Sequence, residues 1–261
     1  MRKEFFSMDA KYEAVFTPMK IGTCEIKNRI VMSPMATTAI IGWNFTRGVD
    51  KKVGDLLIER AKDGVGLIIP GAVSVRSLVR GKWLHEHPDK FEGLDEIIDE
   101  IHSYGAKVFP QITAGLGRNM TDMPLIDNHK KLFKPILDID KQQATADAGL
   151  PNVWYPEGKT KALTKAEIKE IVNSVAQSAF LFQQHGADGI EVHALHEGYL
   201  LDQFAMPYTN HRTDEYGGST ENMIRFAVEI VQEIKRLCGR NPFAAALPGL
   251  SIPASFICPT T

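Results

Sequence analysis

The chain has 261 residues, 44% hydrophobic and 24% charged, a balance that supports a sizeable buried core and excludes disorder as the default. Lys and Arg number 30 against 32 Asp and Glu, for a net charge of −2. This gives no broad attraction to nucleic acid or an anionic membrane and points to a small-molecule partner. No run approaches the ~20 apolar residues of a bilayer-spanning helix, and Glu4 and Asp9 fall where a signal peptide needs its apolar stretch, so the expected location is cytoplasmic.

Cys24, Cys238 and Cys258 lie far apart, without the close pairs of a zinc site or the Cys-x2-Cys runs of an iron-sulfur centre, and are expected to be free thiols.

In chain order, short β-rich runs alternate with longer amphipathic stretches, the pattern of βαβ units and a parallel sheet. A hairpin is expected over residues 21–26 and a first strand over 29–33. Val53, Leu56, Leu57 and Ala61 share one face of a helix over 50–62. Residues 65–70, Val-Gly-Leu-Ile-Ile-Pro, suit a strand buried on both faces. Leu94, Ile97, Ile98 and Ile101 repeat at i, i+3, i+4 and i+7, which predicts a helix over 91–104 ending at Gly105. A third strand follows over 107–111. Residues 112–163 hold several Pro and Gly and no sustained period, and a stretch that long reads as a functional loop or lid.

Thr164 and Glu167 form a capping box that opens a helix running to His185. The fourth strand covers 189–193, and a polar loop leads through Gly217 and Gly218 to a helix over 220–238 capped by Ser219. Beyond Gly239, Pro242, Pro248, Pro253 and Pro259 recur too often for a central strand or a helix. A whole β/α barrel has ~250 residues, yet only four βα units are visible here. The expected fold is therefore α/β, a partial TIM (β/α)8 barrel of about four units with an N-terminal hairpin and a long loop after strand three. Residues 1–239 form that part and 240–261 an aberrant tail.

In such a barrel the working groups sit at the C-terminal ends of strands. At the end of strand four, His193, His196 and Tyr199 form the sharpest cluster. Two imidazoles can hold a substrate carbonyl and stabilise the enolate that develops there. A phenol, with an ordinary pKa of ~10, stays protonated and can act as an acid. Two other readings stand beside this one: a strand-end histidine satisfied by local hydrogen bonds, and a metal-dependent hydrolase whose His pair lacks a third ligand beyond Glu197 or Asp202. Gln111, after strand three, can donate and accept at once, which suits the edge of a flavin ring, or it is simply solvated. Gly71 and Ala72, after strand two, allow close approach of a planar ring or make a turn. The charged, glycine-containing loop from Arg212 to Ser219 is read as structural, positioning the helix after it.

The segments Val15-Phe16-Thr17-Pro18-Met19-Lys20-Ile21-Gly22 and Lys27-Asn28-Arg29-Ile30-Val31-Met32-Ser33-Pro34-Met35 resemble the opening of the Old Yellow Enzyme family of flavin oxidoreductases. Glu191-Val192-His193, Gly198-Tyr199-Leu200-Leu201-Asp202-Gln203-Phe204, Pro207-Tyr208-Thr209-Asn210 and Arg212-Thr213-Asp214-Glu215-Tyr216-Gly217-Gly218-Ser219 are similar to that family's most distinctive stretch. The matches come in order over about residues 12 to 239.

The resemblance implies a barrel that binds FMN, with Pro34, Met35, Ala36, Thr37, Ala72 and Gln111 around the flavin. It also implies His193 and His196 on the substrate carbonyl and Tyr199 as proton donor. One extra residue, Glu197, separates Tyr199 from the His pair compared with the simplest members. NAD(P)H would reduce FMN, and hydride would pass to the β-carbon of an enone or enoyl-CoA-like substrate, or the reverse. The run from Phe109 to Arg118 and the His-x-x-His-Glu-Gly-Tyr form look most like the branch of bile-acid oxidoreductases, 2-enoate reductases and 2,4-dienoyl-CoA reductases. Longer members of that branch add an iron-sulfur cluster and an FAD domain, whose sites are absent from this sequence. After Gly239 the sequence departs from the family's fifth strand, which suggests a frameshift or truncation. Exposed barrel edges would then favour self-association, and a non-catalytic fragment is the rival reading.

Overall fold

The computed structural model describes residues 10–41, 48–76, 83–119, 144–152, 160–194, 199–239 and 244–246. The expected hairpin is present as β1 (Met19–Ile21) and β2 (Cys24–Ile26), antiparallel with Ile21 opposite Cys24. Its Cys24 and Ile26 form a small core with Leu67, Ile69 and Phe109. The chain then runs through β3 (Val31–Met32), α1 (Lys51–Lys62), β4 (Leu67–Ile68), β5 (Val73–Ser74), α2 (Leu94–Ser103), β6 (Lys107–Val108) and β7 (Gln111–Thr113). After β8 (Ala144–Thr145) and β9 (Lys161–Ala162) come α3 (Lys165–Gln184), β10 (Gly189–Val192), α4 (Leu200–Ala205), α5 (Thr220–Cys238) and β11 (Ala244–Ala246).

Two parallel sheets carry the fold, one in the order β3, β4, β6 and the other in the order β5, β7, β10, β11. β4 leads directly into β5 and β6 into β7, each pair parted at a proline, Pro70 or Pro110, which has no N–H to give to a ladder. Backbone bonds carry the pairing across those breaks: Ile69 N–H to Met32 O at 3.0 Å, Phe109 N–H to Ile68 O at 3.0 Å and Glu191 N–H to Pro110 O at 3.1 Å. The result is five neighbouring parallel chain paths laid side by side in sequence order.

The helices form where the sequence places their caps and apolar stripes. Asp50 accepts from the N–H of Lys52 and Val53 to open α1. A Cβ at Gly54 of α1 would come within 2.4 Å of Ile97 Cδ1, so this glycine lets α1 lie close against α2. The spacing of Leu94, Ile97, Ile98 and Ile101 buries all four on one face of α2. That helix begins at Leu94 rather than at the expected residue 91, because Phe91 belongs to a preceding 3-10 turn, Pro88–Phe91, and Gly93 at φ 82° separates the two. Ile168, Ile171, Val175 and Phe182 of α3 join Phe226, Ile230 and Ile234 of α5 in the main core, together with Ile112, Ile190 and Val192 of the strands. Ser219 caps α5, accepting from Asn222 N–H at 3.3 Å.

Beyond Gly239 the chain adds one strand, and it is not a central one: β11 pairs parallel with β10, Gly189 opposite Ala244, and stands last in its sheet among the described residues. Pro242 and Pro248 flank the three alanines instead of interrupting them, so no ladder N–H is lost. Within the stretch 112–163, read as a loop or lid, β7 reaches Thr113 and β8 pairs with β9; residues 120–143 and 153–159 lie outside the described residues. A short helix, α4, occupies part of what reads as loop after strand four. Among the described residues no helix is long and apolar enough to cross a membrane. Cys24 and Cys238 are buried free thiols, and Cys258 lies outside the described residues.

Candidate active site

The parallel strands bring the described sequence-predicted residues toward the C-terminal side of the sheet. At the end of the first path Met35 is 51% exposed, Pro34 is half-buried and Thr37 is exposed, and Ala36 begins a 3-10 turn, Ala36–Thr38. Thr38 is buried and its hydroxyl donates to Met35 O at 2.9 Å. Gly71, between β4 and β5 on the second path, donates its N–H to Thr38 O at 3.0 Å and to Thr38 Oγ1 at 3.1 Å. A Cβ on Gly71 would sit 1.9 Å from Met35 O. Of the two readings of Gly71, this favours the turn: the space where its side chain would be is taken by the first loop. Ala72, half-buried, follows directly.

Gln111 opens β7, and its register partner on β10 is Glu191. Gln111 Nε2 donates to Glu191 Oε1 at 2.5 Å, with Gln111 6% and Glu191 7% exposed. Burial pushes the Glu191 carboxyl above its ordinary pKa, and the bond from Gln111 lowers it by less than burial raises it. Sequence reasoning missed Glu191 as a site residue. The available signal was a lone carboxylate inside the apolar run Gly-Ile-Glu-Val, all four of whose residues are buried.

His193 follows β10 and its N–H donates to Ile112 O at 2.8 Å, which extends the ladder to the site. The half-buried His193 ring stacks on Tyr199, with centroids 4.9 Å apart and planes 19° apart. His196 and Glu197 lie outside the described residues. Tyr199 is held from two directions. Its own N–H donates to Asp202 Oδ2 at 3.2 Å, and the next N–H, of Leu200, donates to Gly115 O at 3.2 Å. Deeper, Arg118 N–H donates to Gln203 Oε1 at 3.4 Å, and a Cβ at Gly117 would lie 2.6 Å from the Gln203 amide. The turn after β7 and helix α4 are thus locked together, and the lock seats the phenol over the imidazole. An imidazole and a phenol side by side can bind one oxygen and transfer one proton.

The loop after α4 has the structural role expected of it. Arg212 makes a two-pronged bond to Asp214, at 3.0 and 2.6 Å, and donates to the backbone oxygens of Ala146 at 3.1 Å and Leu163 at 2.7 Å. Tyr216, fully buried, donates its hydroxyl to Glu229 Oε2 at 2.9 Å. These bonds tie the loop to β8, to the start of α3 and to α5. Among the described residues no group of three or more His, Cys, Asp or Glu is placed to hold a metal ion.

Comparison with known proteins places this geometry in context. The model of the NADH:flavin oxidoreductase / NADH oxidase family matches residues 14–246, past Gly239 and through β11. The chain is 39% identical over 241 residues to a cinnamate reductase of Clostridium sporogenes, covering 90% of this chain and 34% of that protein. It is 34% identical to an NADPH dehydrogenase of Bacillus subtilis, covering 85% of this chain and 60% of that one. Among solved structures, Old Yellow Enzyme from Pichia sp. AKU4542 superposes with a TM-score of 0.68 at 26% identity, over 90% of this chain and 59% of its own. Histamine dehydrogenase from Rhizobium sp. 4-9 superposes with a TM-score of 0.71 at 24% identity, a likeness of fold over 92% of this chain and 34% of its own. The chain therefore spans between about a third and three fifths of these relatives.

Proposed function

The chain belongs to the NADH:flavin oxidoreductase / NADH oxidase family, and from that premise we propose that it carries the flavin-side and substrate-side residues of an ene-reductase built on the opening strands of a β/α barrel. When bound, FMN reduced by NAD(P)H supplies hydride to the β-carbon of an α,β-unsaturated carbonyl or enoyl compound, and the reverse reaction forms the same double bond. The residues fit such a group: Gln111 offers a buried amide at the start of β7, with Ala72 on the adjacent path and Pro34, Met35, Ala36 and Thr37 following the first path. His193 holds the substrate oxygen, with His196 as the second donor, and both stabilise the enolate charge as it develops. Tyr199 delivers its phenolic proton to the α-carbon.

The observation that carries this reading is the stack of Tyr199 on His193 at the end of β10, which sets an acid beside a carbonyl donor. The Clostridium sporogenes relative is named for cinnamate, an α,β-unsaturated acid, and its similarity favours a conjugated acid or thioester over a simple ketone as substrate class. The test is Tyr199→Phe in the full chain with FMN bound. Turnover of an enoate is expected to fall about 100-fold, the scale of one lost general acid, while NAD(P)H still bleaches the flavin. Unchanged turnover would remove Tyr199 from the mechanism.

A further inference from the structure

Glu191 is a carboxylate 7% exposed, with one bond, from the Gln111 amide. Burying such a charge beside a single neutral partner is costly, and a fold selected for stability alone is better served there by a neutral side chain. Charged groups held under that strain cluster where a site needs them. The neighbouring amide shows what the charge can do. An ionised carboxylate only accepts hydrogen bonds, whereas a glutamine amide has two N–H donors at one end and a carbonyl acceptor at the other. When ionised, Glu191 therefore decides which end of Gln111 faces it, and the other end is left to face the site. Gln111 makes no further side-chain bond among the described residues.

We propose that Glu191 is a positioning residue for the cofactor: it fixes the Gln111 amide so that one N–H and the carbonyl oxygen are presented together to a ring edge carrying an acceptor beside an N–H donor. The imide edge of a flavin has that pattern, so the inference rests on the flavin reading above. Glutamine at 191 has the same shape but can offer either end to Gln111, and the orientation is released. The interaction lies across adjacent strands in register, so no backbone adjustment substitutes for it.

The test is a double-mutant cycle in the full chain, read as the FMN dissociation constant from quenching of flavin fluorescence, with the thermal midpoint of each flavin-free protein measured in parallel. Glu191→Gln is expected to weaken FMN about tenfold, which is about 1.4 kcal/mol, with a flavin-free midpoint equal to or above that of the parent. Gln111→Ala is expected to weaken FMN by at least as much, and the double variant to be no weaker than Gln111→Ala alone, because the carboxylate acts only through the amide. The inference is overturned if Glu191→Gln leaves FMN affinity unchanged, if its effect persists in the Gln111→Ala background, or if it lowers the flavin-free midpoint. Failure of the parent chain to bind FMN strikes the flavin reading itself, an outcome separate from any difference between parent and variants.

Discussion

At Asp188 three groups converge on one mostly buried carboxylate at the opposite end of the strands from Tyr199. His102 Nε2 lies 2.7 Å away, Lys107 Nζ 2.8 Å and Val108 N–H 2.9 Å. Burial alone would raise its pKa, but the bonds from His102, Lys107 and Val108 outweigh burial and hold it below the ordinary value. A depressed folded pKa means that the stabilisation is fully present above the unfolded carboxyl's pKa, ~4, and is lost as pH falls through the lower folded value. Asp188→Asn is expected to cost about 2 kcal/mol in urea unfolding at neutral pH, the scale of hydrogen bonds to a charged group. The difference from the parent should shrink below pH ~4, and equal midpoints at neutral pH would contradict this account. Gly71→Ala is a second test, because its added methyl meets the backbone oxygen of Met35 at 1.9 Å. The overpacking should lower stability by about 2 kcal/mol; a neutral outcome would mean that the first loop yields readily. Gln111, His193 and Tyr199 stood out in the sequence as polar side chains at or just beyond β-rich runs. Glu191 did not, because its meaning comes from its partner in register 80 positions away. The choice between the two readings of Gly71 was out of reach for the same reason: what fills its space lies on another loop.

The helices were the most legible elements, since their caps and 3.6-residue stripes are local. The capping box at the start of α3 is an example. Thr164 Oγ1 accepts from Glu167 N–H at 3.2 Å, Glu167 Oε2 accepts from Thr164 N–H at 2.8 Å, and Lys161 Nζ reaches Glu167 Oε1 at 2.8 Å. Burial would raise the Glu167 pKa, but the bonds from Lys161 and Thr164 bring it down to about 2. Glu167→Ala is expected to cost about 1 kcal/mol at neutral pH. The cost should fade as pH drops from the unfolded carboxyl's value, ~4, towards about 2, and a pH-independent difference in unfolding midpoint would argue against the box. Two elements escaped a local reading. α4 has only six residues, too few for a periodic stripe. β11 is three alanines between prolines, and only its pairing with β10 identifies it.

Across the whole molecule, five parallel paths in sequence order carry the residues proposed to act at one end and a charge cluster at the other. The charge cluster is not visible to a reading that stops at single elements, because its members come from three separate stretches of chain. The count of βα units pointed to a pattern ending at Gly239, whereas the strand order continues through β11 and the family match through residue 246. This end of the sheet is proposed to bind a flavin. That proposal is tested most directly by the visible absorption spectrum of the purified chain after incubation with FMN and gel filtration. Protein that emerges with the absorption bands of oxidised flavin at a stoichiometric ratio is the predicted result. Protein that emerges colourless, with all the FMN in the small-molecule fraction, would contradict it.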